Sequence, residues 1–121
     1  MRRIMYVENK CGGLDGDGRI GWVEISRSSR SFVYRGRRLL KVGSGYKYNC
    51  IDEANGDEYW VSGPRKDGAD KLYGGLVQID DDARVEYWTR VRGRPSLAHL
   101  TEYRAGSSTR TGGTTRRKAP G

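Results

Sequence analysis

Reactive and metal-ligating side chains are scarce in this chain: one histidine, His99, and two cysteines, Cys11 and Cys50, among 121 residues. A structural zinc site takes about four thiolate or imidazole ligands. Only three are present, and the cysteines lack the CxxC spacing of such sites. Cys–His nucleophilic chemistry needs a base held firmly beside the thiol, whereas His99 flanks a polar C-terminal stretch. Long apolar runs are missing too. None approaches the roughly 18 consecutive apolar residues of a membrane helix, and the chain reaches Glu8 before the apolar region of a signal peptide forms. The expectation is a cytoplasmic, non-enzymatic protein that uses no metal or cofactor and contacts no membrane.

Glycine and charge are plentiful instead. There are 18 glycines, and 23 Lys and Arg against 15 Asp and Glu give a net charge of +8. Residues 1–50 hold 11 basic and 4 acidic side chains, residues 51–95 hold 7 and 10, and residues 96–121 hold 5 and 1. A basic half, an acidic half and a basic tail point to contact with polyanions. Beyond Tyr103 no large apolar residue occurs. Ordering each residue there costs about 1–2 kcal/mol of backbone entropy, with no burial to offset it. The organisation expected is one domain over residues 1–95, then a basic Gly/Ser/Thr-rich tail over 96–121, disordered from about 104. Leu97, Leu100 and Tyr103 are spaced for one weak helical turn at most.

The domain reads as mainly β. β-Branched and aromatic residues favour strands at Arg3–Val7, Ile20–Ile25, Ser31–Arg35, Arg37–Val42, Tyr46–Ile51, Asp57–Ser62 and Leu76–Ile79. Gly36 suits a tight hairpin between the third and fourth, and Asn55-Gly56 a hairpin between the fifth and sixth, since Asn and Gly tolerate positive φ. Gly63-Pro64 ends the sixth and opens a loop pinned by Leu72 and Tyr73. One helix is expected over about 80–92. Asp80-Asp81-Asp82 offers a cap and negative charge at its start. Arg84, Tyr87, Trp88 and Val91 then recur at helical spacing, with Val85 widening the apolar arc, and Gly93 and Pro95 stop it. The fold expected is a small twisted antiparallel sheet, or an SH3-like or OB-like barrel, with one C-terminal α-helix packed through Tyr87 and Trp88.

Two motif matches fail on context. Gly16-Asp17-Gly18-Arg19-Ile20-Gly21 fits G-x-G-x-x-G, but a dinucleotide fingerprint follows a strand and opens a helix, whereas a strand follows here. Asp15 and Asp17 imitate a calcium loop whose twelfth position, a glutamate in the motif, falls on Ser26. Asp52, Glu53, Asp57 and Glu58 crowd one hairpin turn, where aspartate serves the backbone and exposed acids serve no acid–base chemistry.

The basic run carries more. From Arg19 to Lys47 come Arg19, Arg27, Arg30, Arg35, Arg37, Arg38, Lys41 and Lys47, with Glu24 alone opposing them and Trp22, Phe32, Tyr34, Tyr46 and Tyr48 interleaved. Cations neutralise phosphates and aromatic faces stack on bases. Strand alternation equally allows the aromatics to form core and the arginines to face water. Arg92-Gly93-Arg94-Pro95 resembles the core of an AT-hook, in which an Arg-Gly-Arg arc enters the minor groove of A·T-rich DNA. Val91 before it and Ser96-Leu97 after it replace that motif's usual basic flanks.

Across residues 3–95, the segments GRIGWVEIS, YRGRR, GSGYKYNCID, EYWVSGPRKDGADKLYGG and EYWTRVRG resemble a group of short bacterial proteins of unknown role. Some members carry the name of 1-deoxy-D-xylulose-5-phosphate synthase, a large thiamine-dependent enzyme whose cofactor-binding domains do not fit within 121 residues. The resemblance implies a bacterial cytoplasmic domain and no catalytic residues. The expected function is nucleic-acid binding, to DNA or RNA, through Arg27, Arg30, Arg35, Arg37, Arg38, Lys41 and Lys47, with Arg92, Arg94, Arg116, Arg117 and Lys118 adding contacts. The alternative is a protein-interaction module whose oppositely charged halves recognise a charged partner or a second copy.

Overall fold

The computed structural model describes residues 1–11, 17–43, 47–71 and 74–105. The strands are β1 (Arg2–Asn9), β2 (Gly18–Ile25), β3 (Ser31–Tyr34), β4 (Arg37–Lys41), β5 (Cys50–Asp52), β6 (Glu58–Ser62), β7 (Gly75–Ile79) and β8 (Glu102–Ala105). β1 to β6 close into an antiparallel barrel in the order β1-β6-β5-β4-β3-β2, with β2 returning to β1. Closure removes free edges from those six strands. β2 is shared: its first half pairs in parallel with β7, through Gly18 opposite Val77, and its second half pairs with β3, through Ile25 opposite Phe32. β7 carries β8 on its far side.

This branching makes two cores with one common wall. Met5, Val7, Val23, Ile25, Phe32, Tyr34, Leu39, Cys50, Tyr59 and Val61 fill the barrel. The opposite face of β1 and β2 turns Ile4, Tyr6 and Ile20 outward, against Val77, Ile79, Ala83, Tyr87, Trp88 and Ala105. β1 is therefore buried on both faces from Ile4 to Glu8, which explains its unbroken Ile-Met-Tyr-Val run. Where the common wall ends, Glu8 accepts a hydrogen bond from the Tyr6 hydroxyl and an ion pair from Lys10 at 2.6 Å, all three buried.

The helical segment changes pitch along its length. It runs as a 3₁₀ turn at Asp81–Ala83, an α turn at Arg84–Glu86 and a π turn at Tyr87–Val91. The wide last turn, with the Arg92 amide donating to the Tyr87 carbonyl at 3.0 Å, lets the consecutive Tyr87 and Trp88 both enter the second core. Both pack there as the sequence leads one to expect. Val85, however, is exposed and does not widen the buried face. Asp80 is no side-chain cap either, because its carboxylate is engaged elsewhere.

Three sequence expectations need correction. The domain does not stop at 95: a 3₁₀ turn at Pro95–Leu97 leads into β8, which pairs with β7 and buries Ala105. Pairing with an exposed strand edge, rather than an apolar pattern of its own, orders this segment. The fifth strand, expected over Tyr46–Ile51, runs over Cys50–Asp52, so Lys47, Tyr48 and Asn49 lie outside it. Before Cys50, the Asn49 side chain takes over the ladder, donating to the Val61 carbonyl at 2.8 Å and accepting from the Val61 amide at 2.9 Å. The third strand ends at Tyr34, because Arg35 belongs to the turn. Its φ of 50° and that of Gly36, 80°, make the two-residue hairpin whose twist suits antiparallel strands. The Asn55-Gly56 hairpin forms as expected, with Gly56 at φ 78°. Tyr46, Leu72, Tyr73 and the tail from 106 lie outside the described residues.

Candidate functional site

Antiparallel closure puts β1 starts, β2 ends, β3 starts and β4 ends at one end of the barrel, and their opposite termini at the other. The basic residues of the central strands divide between these ends. Arg30 and Arg35 flank the four-residue β3, so they lie on the order of 16 Å apart.

At the end where β2 begins is a mouth with a cavity of about 330 Å³ lined by Val7, Asn9, Asp17, Arg19, Tyr34, Arg35, Arg37 and Tyr59. Its arginines are held by carboxylates. Asp80 accepts from Arg19 Nε and Nη2 at 3.1 and 2.8 Å, from Arg35 Nη1 at 3.5 Å, and from the Tyr34 hydroxyl at 2.6 Å. Burial, then the Asp80 carboxylate, push the Tyr34 hydroxyl up to about 12. Gly21 makes room for this cluster, since a Cβ there would overlap Asp80 and lie 2.6 Å from the Tyr34 ring. Arg37 donates at 2.9 Å to Asp52, whose side chain is buried. The Ala54 amide, then Arg37, hold the Asp52 carboxyl below the usual range. Arg38 points outward on the same hairpin, 3.8 Å from Glu53.

The opposite end is different. Arg3, Arg27, Arg30, Lys41 and Lys47 are exposed there, and among the described residues none has a carboxylate within 4.0 Å. The Lys41 amide donates to the Arg30 carbonyl at 3.0 Å, which keeps the two neighbours, and the Lys41 ammonium sits 4.9 Å from the Phe32 ring centre. Glu24, the acid nearest in sequence, is taken by the N-terminal ammonium at 3.0 Å. From this end a groove of about 340 Å³ runs along the barrel wall, lined by Arg3, Ile4, Trp22, Pro64, Lys66, Glu86, Arg90 and Val91. Arg2 stands 4.6 Å above the Trp22 ring.

The expected contiguous face over Arg27, Arg30, Arg35, Arg37, Arg38, Lys41 and Lys47 is therefore two surfaces. Arg27, Arg30, Lys41 and Lys47 share one end, whereas Arg35, Arg37 and Arg38 are tied to carboxylates on or near the other. The hook-like segment is also altered by packing. Arg92 is drawn into an aromatic box, 5.0 Å from the Trp88 ring centre and 5.1 Å from that of Tyr103, and donates to the Tyr87 hydroxyl at 2.9 Å. The guanidinium lies so close to Gly68 that a Cβ there would clash with it. Minor-groove insertion requires this side chain free, so Arg92 leaves the set while Arg94 remains exposed. Arg116, Arg117 and Lys118 lie outside the described residues.

Sequence reasoning missed Asn9, Asp17 and Tyr59 at the mouth, and Arg2, Arg3 and Lys66 near the groove. The signal for the mouth was present: Arg35-Gly36 in a two-residue turn places a guanidinium at a strand end. Burial pushes the Cys50 thiol up to about 11, as suits an inert core residue, and Cys11 is exposed. Among the described residues no three His, Cys, Asp or Glu side chains gather to hold a metal ion, and no helix is long and apolar enough to cross a membrane. No family model, no curated protein and no solved structure matches the chain.

Proposed function

We propose that the protein is a non-catalytic nucleic-acid-binding domain, acting in a bacterial cytoplasm, that contacts phosphates through the barrel end bearing Arg3, Arg27, Arg30, Lys41 and Lys47. One observation carries the reading: these cations share one barrel end and, among the described residues, have no carboxylate partners, so their charge is available to an external polyanion. Charges already paired have less to gain from a phosphate, because the existing pair must be broken or shared. The groove with Arg3, Lys66 and Trp22 extends the surface along the barrel wall. The basic residues Arg116, Arg117 and Lys118 add sequence-independent attraction.

The test is fluorescence anisotropy with random-sequence single-stranded DNA, duplex DNA and RNA. Neutralising about four phosphates makes affinity fall roughly fiftyfold on single strands and roughly 150-fold on duplex DNA between ~50 and ~200 mM salt. Reversing Arg27, Arg30 and Lys41 to Glu together abolishes most of the binding and leaves the circular dichroism unchanged. Arg38→Glu, outside the surface, has little effect. No binding at the lower salt refutes the reading and favours recognition of a charged protein.

A further inference from the structure

The barrel mouth is not explained by the proposed phosphate surface at the opposite end. Arg35 in particular returns little to the fold. Its guanidinium is more than half exposed and only 3.5 Å from an Asp80 oxygen that Arg19 already occupies. Its backbone meanwhile holds φ at 50°, a region costly for a residue with a long side chain and natural for Asn or Gly. Strain of this kind, at the rim of a cavity, is characteristic of residues held for a ligand. Arg37 is likewise half exposed and, among the described residues, uses one donor of its five, on Asp52. Among the described residues, both guanidinium groups keep unused donors over a cavity whose other walls are Val7, the rings of Tyr34 and Tyr59, and the polar side chains of Asn9, Asp17 and Arg19.

We propose that this mouth binds a small aromatic carboxylate: a planar carboxylate across Arg35 and Arg37, and a ring against Val7, Tyr34 and Tyr59. Arginine forks match a carboxylate with two parallel hydrogen bonds. The cavity, near the lower end of ligand-site volumes of ~300–1,000 Å³, suits a compact molecule. The surroundings favour a single charge. Asp17 lines the rim, and Asp52 and Asp80 lie beneath the arginines, so a dianion meets twice the repulsion that a monoanion does. Because Asp52 holds Arg37 in place, that half of the site is preorganised and the ligand loses less on binding.

Benzoate, 4-hydroxybenzoate and indole-3-acetate, with inorganic phosphate as a comparison, are titrated into the full chain by ¹H–¹⁵N NMR. The expected result is saturable shifts at Asn9, Arg35 and Tyr59 with at least one aromatic carboxylate, and weaker or no shifts with phosphate. Arg35→Asn keeps a residue suited to positive φ while removing the guanidinium. It lowers the affinity at least tenfold, leaves the melting temperature equal or higher, and leaves oligonucleotide affinity unchanged. Absence of saturable binding for all three carboxylates overturns the proposal, as does an Arg35→Asn variant that binds them as well as the parent. If Arg35→Asn instead weakens oligonucleotide binding, the mouth is a phosphate contact and the small-molecule site is refuted.

Discussion

The two ends of the barrel carry similar numbers of cations and use them differently. At the mouth, Arg19 and Arg37 are tied to Asp80 and Asp52 and Arg35 lies 3.5 Å from Asp80, so much of their charge is offset locally. At the far end, Arg27, Arg30, Lys41 and Lys47 carry no such partners among the described residues, so their charge projects into solvent. Paired arginines make a shaped site; unpaired ones make a field. Sequence position does not tell these apart, because Arg35 and Arg30 are five residues apart on one hairpin.

The largest expected difference between the ends is in stability. Asp80 gathers two arginines and a tyrosine hydroxyl from β2, β3 and the β3–β4 turn, and its side chain is largely buried. Asp80→Ala leaves Arg19 with Gln78 in place of two acceptors, takes the acceptor from the Tyr34 hydroxyl and opens space beside Gly21. The expected cost is about 2–4 kcal/mol, read from urea unfolding. A change below about half a kcal/mol would mean that the mouth is not a structural unit and would remove the contrast.

Acid separates the ends next. Asp52 gives up its proton more readily in the folded chain than in the unfolded one, since the Ala54 amide and Arg37 stabilise its charge. Its contribution is complete above the ordinary carboxylate pKa of about 4 and is lost as the pH falls through the lower folded value. Amides near the mouth, such as Ala54, should therefore lose hydrogen-exchange protection in acid before those of β4 near Lys41. Asp52→Asn flattens this acid limb. Asp70 has the opposite sign: burial, outweighing the Tyr103 hydroxyl that donates to it, raises its carboxyl above the usual range, so acid favours its folded form.

Much of this fold was legible because most of its strands obey local rules. Seven strands were readable from β-branched and aromatic runs, and both short hairpins from Gly36 and Asn55-Gly56. Helical spacing brought out Tyr87 and Trp88. What escaped was set by distant partners. β8 has the weak pattern Glu-Tyr-Arg-Ala and exists because β7 offers it an edge. The π turn depends on a second core that wants two consecutive aromatic residues. The candidate sites failed to be legible in the same way: nothing local in Arg35, Arg37 or Arg92 announces Asp80, Asp52 or the box of Tyr87, Trp88 and Tyr103. Ion pairing across the sheet decides which cations are free, and that is a property of register.

The smallest stability effects, and the clearest functional ones, belong to the far end. Arg27 and Arg30 lie in and beside the exposed β2–β3 turn, where the Ser26 hydroxyl accepts from the Arg30 and Ser31 amides and so supports the backbone without either guanidinium. Arg27→Ala and Arg30→Ala should each change unfolding free energy by no more than about 0.5 kcal/mol, as expected for exposed side chains with no buried partner. Each should also lower the slope of log affinity against log salt by about 0.7–0.9 for every phosphate it no longer neutralises. Those two readouts must move independently. A substitution that unfolds the domain would mean these guanidinium groups hold the turn, and one that leaves the salt slope intact would place the phosphate-binding cations on another face.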